Sequence, residues 1–431
     1  MNKQYCVISC PIDCYAGYGA RSRDFVKALY ELKKDEYDIE ILAQRWGSTP
    51  WGYIKDHSEE WGFLEPLLAK QQMSKQPDVW IQITVPNEFQ QIGKFNIGVT
   101  AGIETTLCHA SWIDGVNRMN VTLVSSQHAK TVFQQSTFEE KNQQGQVTRQ
   151  IKLEKPVEVL FEGVDLNKYF YIADEDLDGT DLVQSLDEIK EEFCYLFVGH
   201  WLQGALGEDR KNVGLMLKTF LETFKNKKNR PALILKVSGA GSSVMDREDM
   251  LNRIESVRST VTGDLPNVYL LHGELDDKDI NNLYNHGKVK AMISLTKGEG
   301  FGRPLLEFTL SKKPLITTAW SGHTDFLFME NVCMVGGEVK AVHPSAQVKD
   351  MILAESGWFS PDVKQAEFYL RDVYEKYSKY EEKAKKQAHQ SKTKFNFDEM
   401  KTLLGTYLDK IPKQVGLTLP KLRRIDLNKI I

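Results

Sequence analysis

The stretch 297–314, reading K-G-E-G-F-G-R-P-L-L-E-F-T-L-S-K-K-P, leaves few folds open to this chain. Gly298, Gly300 and Gly302 let the backbone pass close to a ligand, with amides that no bulky side chain shields. A helix should follow at once, because Pro304 is preset for the first helical position and Leu305, Leu306 and Leu310 supply an apolar stripe. The strand-like run V-K-A-M-I-S-L-T enters the turn, and K-K-P-L-I-T-T leaves the helix as the next strand. Glu299 and Glu307 bracket the turn, eight positions apart. With Glu307 expected in the first helical turn and facing the same opening as Glu299, two hydroxyl-binding acceptors flank amides at the positive end of a helix dipole. That set suits a sugar joined to a diphosphate. The bland alternative is a strand, turn and helix with two solvated glutamates, since glycine-rich turns before helices are common.

A chain of 431 residues, 41% hydrophobic and 26% charged, is long enough for two cores, so two domains are expected. The net charge of -4 gives no global sign of a nucleic-acid or anionic-membrane partner; any basic site must be local. Six scattered cysteines without C-x-x-C spacing read as reduced core thiols. No run approaches membrane-spanning length, which predicts a cytoplasmic chain without a membrane span.

From the N-terminus, a first strand at 5–9 leads into the loop G-Y-G-A-R-S-R and a helix at 22–32. Gly17 and Gly19 could bring amides, and Arg21 or Arg23 a guanidinium, to a phosphate or an acceptor; a simple tight turn is almost as good a reading. Trp46, Trp51 and Tyr53 read equally as an acceptor platform or as packing for a long loop. At the carboxyl end of the strand 95–99, T-A-G-I-E-T-T-L-C-H places Glu104 and His109 on the ligand-facing edge of an α/β sheet. A lone histidine there is more often structural. The polar segment 139–155 reads as an exposed insertion or hairpin, and the acidic run 171–192 as a linker or surface helix. In the second half, Arg210 and Lys211 open an amphipathic helix, where cations oppose the dipole unless an anion is bound. Two cations there can neutralise a diphosphate leaving group. Ser238 ends the strand A-L-I-L-K-V-S, and His272 ends N-V-Y-L-L-H.

The E-x7-E pair, its G-F-G-R-P-L-L-E core and the following K-K-P-L-I-T-T resemble the signature of retaining glycosyltransferases, glycosyltransferase family 4 in particular. V-P-N-E-F, G-V-T-A-G-I-E-T-T and V-S-S-Q-H-A-K look like members encoded by large tailed bacteriophages. The resemblance implies the GT-B fold: two facing Rossmann-like doubly wound α/β domains with C-terminal helices crossing back to the first. The boundaries expected are an acceptor-side domain over 1–170, an acidic linker over 171–192, a nucleotide-sugar domain over 193–385, and a crossback helix with basic tail over 386–431. It further implies a hexosyl- or pentosyltransferase that uses a nucleotide-diphosphate sugar without cofactor or metal. Glu299, Arg210, Lys211 and His109 would then be catalytic. Glu307, the Gly298-Gly300-Phe301-Gly302 turn, His272 and Ser238 would hold the donor with Gly17 and Gly19, while Tyr18, Arg21 and Glu104 would face the acceptor. His200 stands where the family has an arginine. The acceptor implied is a hydroxymethylated base in phage DNA; a cell-surface polysaccharide or lipid-linked sugar is the rival, and a non-catalytic sugar-nucleotide-binding module the reading from another class.

Overall fold

The hydrophobic runs of each half become the strands of two separate parallel sheets in the computed structural model, which describes residues 3–412 except 71, 72, 74, 205, 240 and 242. The first half supplies β1 (Gln4–Cys10), β2 (Tyr37–Ala43), β3 (Val79–Ile83), β4 (Phe95–Thr100) and β5 (Val121–Val124). The polar segment expected to be an exposed insertion or hairpin forms the hairpin β6 (Phe138–Lys141) and β7 (Val147–Ile151), after which β8 (Val157–Val159) closes the sheet in the order β2-β1-β3-β4-β5-β8. The inner strands β1, β3, β4 and β5 are buried along almost their whole length because helices cover both faces. The helices of this half are α1 (Gly17–Lys33), the short α2 (Tyr53–Asp56) and α3 (Ser58–Trp61), α4 (Ala110–Asn117) and α5 (Gln127–Gln135).

The second half begins with α6 (Asp181–Asp187) and repeats the scheme. Its strands are β9 (Cys194–His200), β10 (Ala232–Ser238), β11 (Val268–Leu271), β12 (Val289–Ser294), β13 (Leu315–Thr318) and β14 (Cys333–Val335), in the order β11-β10-β9-β12-β13-β14. Between them run α7 (Val213–Phe224), α8 (Val244–Arg258), α9 (Asp277–Asn285) and α10 (Arg303–Thr309). Strand order reverses between β1 and β3 in the first sheet and between β9 and β12 in the second. Beyond the carboxyl ends of strands at such a reversal lies the crevice where open α/β sheets bind ligands. An antiparallel hairpin, β15 (Gly337–Ala341) and β16 (Gly357–Pro361), follows, and then α11 (Val363–Glu375), α12 (Tyr377–Lys394) and α13 (Phe397–Leu408).

The chain passes between the domains twice, side by side. The Val164 amide donates to the Phe395 carbonyl at 2.9 Å, and the Phe397 amide donates to the Val164 carbonyl at 2.9 Å. Beyond this crossing α13 buries Phe397, Met400, Leu404 and Leu408 in the core of the first domain, against Phe25 and Leu29 of α1.

Three boundaries differ from expectation. Of the two readings of the acidic stretch 171–192, surface helix holds over linker: Leu182, Leu186 and Ile189 join the second domain's core with Leu283 and Tyr284, leaving the carboxylates on the outer face. The return to the first domain falls at 395–396 rather than 386, because α12 stays on the second domain. There Gln387 donates to the Phe326 carbonyl at 2.8 Å and accepts from the Phe328 amide at 3.0 Å. Helix α1 starts at Gly17, so the glycines expected in a loop lie in its first turn. The basic tail, 413–431, lies outside the described residues. No helix among the described residues is long and apolar enough to cross a membrane. All six cysteines are buried and free.

Candidate active site

At the strand reversal of the second sheet, the loop after β9 and the turn after β12 run together. The Lys297 amide donates to the Arg210 carbonyl at 2.9 Å. Asn212, at a left-handed φ of 57°, turns the loop into α7 and donates its side-chain amide to the Leu295 carbonyl at 3.1 Å. This delivers Lys211 to Glu299, with Nζ 2.6 Å from both carboxylate oxygens. The Arg210 guanidinium lies 3.8 Å from Glu299 and 3.0 Å from Glu104, which comes from the loop after β4 of the other domain. Burial alone would push the Glu299 carboxyl up, but Lys211 and Arg210 outweigh it and hold the group below the usual carboxylate range. Burial presses Lys211 below its ordinary value while Glu299 opposes the shift. Two cations and two carboxylates from both domains thus converge where the sheet topology leaves a crevice.

The backbone around Glu299 is fixed from the loop after β13. Its amide donates to Ser321 Oγ at 2.8 Å, and its carbonyl accepts from the Gly322 amide at 2.9 Å. A β-carbon on Gly322 would sit 2.1 Å from the Gly300 carbonyl oxygen, so only glycine fits. Gly298 is pressed as closely by the other domain, a β-carbon there falling 2.3 Å from the Glu104 carbonyl oxygen. Gly302, at a φ of 102°, is the N-cap of α10. The Phe301 ring is buried against Phe326, with centroids 4.9 Å apart, so this residue offers a ligand its backbone and not its ring.

Glu307 lies in the second turn of α10 rather than the first, and it is buried. Arg303, one turn earlier, stands 3.6 Å from Glu307 and reaches into the first domain, 2.6 Å from Asp24 and 3.7 Å from Glu162. Burial raises the Glu307 carboxyl to about 7; Arg303 opposes the rise, and Asp277, Asp24 and Glu162 add to it. Asp277 in turn pairs with Lys168 at 2.7 Å, and Lys168 with Glu60 at 2.8 Å. Glu299 and Glu307 therefore both face the domain interface, each held by its own cation.

The remaining candidates divide. Tyr18 donates or accepts at Thr100 Oγ1 (3.0 Å), accepts from the Ala101 amide (3.1 Å) and stacks on Trp46 at 4.1 Å, forming a wall on the first-domain side. Arg21 does not face an acceptor: it is buried, and it donates to the Phe161 and Leu160 carbonyls at 3.0 and 2.5 Å, tying α1 to the end of β8. His109 is not part of the Lys211–Glu299 cluster. It caps α4, accepting from the Ser111 amide at 3.2 Å, and lies 3.6 Å from Asp350. His272 is held by Asp246 at 2.7 Å, and Ser238 by His200 at 3.2 Å, both at the rim of the second sheet. Gly17 has open space around it, whereas Gly19 is closed off by the Cys14 carbonyl, 2.1 Å from where its β-carbon would be.

Several residues that the sequence did not single out complete the crevice. The Gly357 carbonyl of β16 accepts from the Thr106 amide at 2.9 Å and its amide donates to Thr106 Oγ1 at 2.9 Å, so the hairpin spans both domains. The Phe359 amide donates to the Lys297 carbonyl at 3.0 Å. Asp325 accepts from the Gln127 amide at 2.7 Å, capping α5 across the interface, and Trp320 meets His128 edge-on at 4.7 Å. Arg210 also lines a cavity of about 500 Å³ whose other walls include Trp201, Arg253 and Trp358. Contacts of this kind join residues far apart in the chain, and no local pattern announces them. Among the described residues no group of three His, Cys, Asp or Glu side chains could hold a metal ion.

The geometry defines a class of architecture: two facing doubly wound domains with charged groups gathered in the cleft, the GT-B fold. Solved structures of that fold match nearly the whole chain. Alr3699/HepE from Anabaena, solved with UDP and glucose, is 12% identical with a TM-score of 0.58, covering 94% of this chain and 99% of its own. Sucrose-phosphate synthase from Thermosynechococcus elongatus is 10% identical with a TM-score of 0.59, covering 95% and 99%. A UDP-forming α,α-trehalose-phosphate synthase from Burkholderia xenovorans, solved with glucose-6-phosphate, is 8% identical with a TM-score of 0.59, covering 94% and 100%. No protein-family model and no curated protein sequence matches the chain.

Proposed function

We propose that this protein is a retaining glycosyltransferase that moves a sugar from a nucleotide-diphosphate donor to a hydroxyl acceptor. The observation that carries the reading is the buried Lys211–Glu299 pair, with Arg210 beside it, at the strand reversal and against the other domain. Two adjacent cations at this point suit a diphosphate, and a carboxylate kept ionised suits sugar hydroxyls. Glu307 would take the ribose hydroxyls. As the bond from the anomeric carbon to the phosphate oxygen breaks, Arg210 and Lys211 stabilise the charge growing on the leaving diphosphate. The acceptor oxygen attacks on the same face, and its proton passes to the departing phosphate. The Arg210 and Lys211 side chains supply the positive charge for this, so the reading needs no metal. Structures of the same fold have been solved with UDP and with UDP-glucose, which supports a nucleotide sugar as donor.

For the acceptor, the likeness to phage-encoded members supports a hydroxymethylated base in DNA. Residues 1–170 carry more carboxylates than cations, which favours instead an acceptor less charged than duplex DNA, such as a cell-surface polysaccharide or a lipid-linked sugar. A panel of nucleotide sugars tests the first claim: release of free nucleotide that depends on Lys211 and Glu307 supports transfer, and tight binding without release would mean a sugar-nucleotide-binding module. Proton NMR of the product reads the anomeric configuration, and inversion would exclude the retaining course. Steep salt-dependent binding to duplex DNA would favour the nucleic-acid acceptor, whereas none at low salt removes it.

Two further outcomes are expected. Gly322→Ala should lower turnover by about a hundredfold with the overall fold intact by circular dichroism, because its β-carbon displaces the Glu299–Gly300 backbone and such misplacements cost about that much. Donor affinity should rise as pH passes upward through about 7, when Glu307 becomes the fully ionised acceptor, and Glu307→Gln should abolish that step. Unliganded stability moves the other way. The folded carboxyl keeps its proton up to about 7 where the unfolded one ionises near 4.5, so its contribution is largest below 4.5 and is lost as pH rises through 7.

A further inference from the structure

His323 sits in the short turn Gly322–Asp325, with no solvent exposure. Its Nε2 lies 2.6 Å from the Thr318 carbonyl oxygen, which can only accept, so the ring carries its proton on Nε2. That leaves Nδ1 as a bare lone pair, and this buried nitrogen has no hydrogen-bond partner among the described residues. An unpaired buried acceptor costs stability, which calls for a donor from outside the chain.

The location of the ring narrows what could pair with it. The Cβ of His323 lies 3.2 Å from where a β-carbon on Gly302 would be, beneath the glycine turn. Its neighbours Ser321 and Gly322 hold the Glu299 amide and carbonyl at 2.8 and 2.9 Å, so imidazole and carboxylate belong to one rigid unit. Both Glu299 and Lys211 act electrostatically on the ring. The missing partner must be a donor. A diphosphate offers only acceptor oxygens; Lys211 turns two of its three N–H groups to the oxygens of Glu299, and neither it nor His128 Nε2, itself unpartnered among the described residues, bonds to the ring. A sugar hydroxyl resting beside Glu299 is a donor of the right kind. Two acceptors fixed relative to one another match two neighbouring hydroxyls of one ring.

We propose that His323 Nδ1 accepts a hydrogen bond from the donor-sugar hydroxyl next to the one held by Glu299, which makes His323 a residue that determines which sugar is taken. The assignment rests on the glycosyltransferase reading above. It distinguishes the two ring nitrogens, and so do two substitutions: His323→Asn keeps an acceptor at the Nδ1 position, while His323→Gln keeps a donor towards Thr318 and loses the acceptor.

Calorimetric titration of the full chain with UDP-glucose and with UDP alone, repeated for each variant after thermal unfolding confirms its fold, provides the test. UDP-glucose affinity should stay within about threefold in the asparagine variant and fall about tenfold in the glutamine variant, the scale of one hydrogen bond, with UDP binding the same in all three. Hydroxyl-deleted UDP-glucose analogues should then lose their disadvantage at one position only, in the glutamine variant only. Equal affinities in the two variants, or a loss that extends to UDP, would overturn the assignment alone and leave the bond to Thr318 as the whole role of the ring. Failure of the unaltered chain to bind UDP-glucose or any sugar nucleotide of the panel would overturn this assignment together with the glycosyltransferase reading.

Discussion

Lys211→Met is expected to lower turnover about a thousandfold, the scale seen when one preorganised group that stabilises developing negative charge is removed. The side chain is buried, and both of its charge contacts go to Glu299. Its removal therefore also strands a buried carboxylate, which should cost about 3–5 kcal/mol of stability. Adding Glu299→Gln should return much of that stability, since no uncompensated charge remains, without returning turnover. Denaturant unfolding and nucleotide release, measured on the two single variants and the double one, read the two effects separately. A double variant that regained turnover would mean the lysine serves only to neutralise Glu299.

The second large effect should come from Arg303→Met. This arginine lies among three carboxylates, Asp24 and Glu162 of the first domain and Glu307 of its own helix. Without it the three repel one another across the interface, and a loss of about 3–5 kcal/mol is expected. Arg303 is also the group that holds the Glu307 carboxyl down against burial, so the rise of donor affinity with pH should move to higher pH in this variant. Small-angle scattering should report a larger radius of gyration as the cleft opens. An unchanged radius with normal pH behaviour would place the stabilising contact within one domain rather than between the two.

How far the sequence led can be judged from particular residues. Pro304 behind a glycine turn and the apolar strands on either side fixed the local geometry of Glu299, because strand, turn and helix are decided by neighbours in the chain. The same local reasoning paired Arg210 and Lys211 with an anion but could not tell that Lys211 meets Glu299, eighty-eight positions on, and Arg210 meets Glu104 of the other domain. Glu307 falls in the second turn because α10 begins at Arg303, one residue before Pro304, and Asp24, the carboxylate that Arg303 binds, lies 279 positions away from that arginine. Arg21 and Arg23 looked like ligand-binding cations beside glycines, yet both turn inward to carbonyl groups of their own domain, Arg23 donating to Ile12 at 2.9 Å. A charged side chain carries no local sign of whether water, a ligand or a distant carbonyl will satisfy it. His323 carries no local signal in the sequence, because only its depth and its unpaired nitrogen set it apart.

The last helix of the described chain completes the first domain's core rather than the second's. During synthesis on a ribosome, the first domain would wait with an apolar groove beside α1 until some four hundred residues had been made, while the later half could close on itself sooner. Folding order would then run against the direction of translation. A fragment ending at the first crossing should be prone to aggregate until a peptide carrying Phe397, Met400, Leu404 and Leu408 is supplied to it in trans.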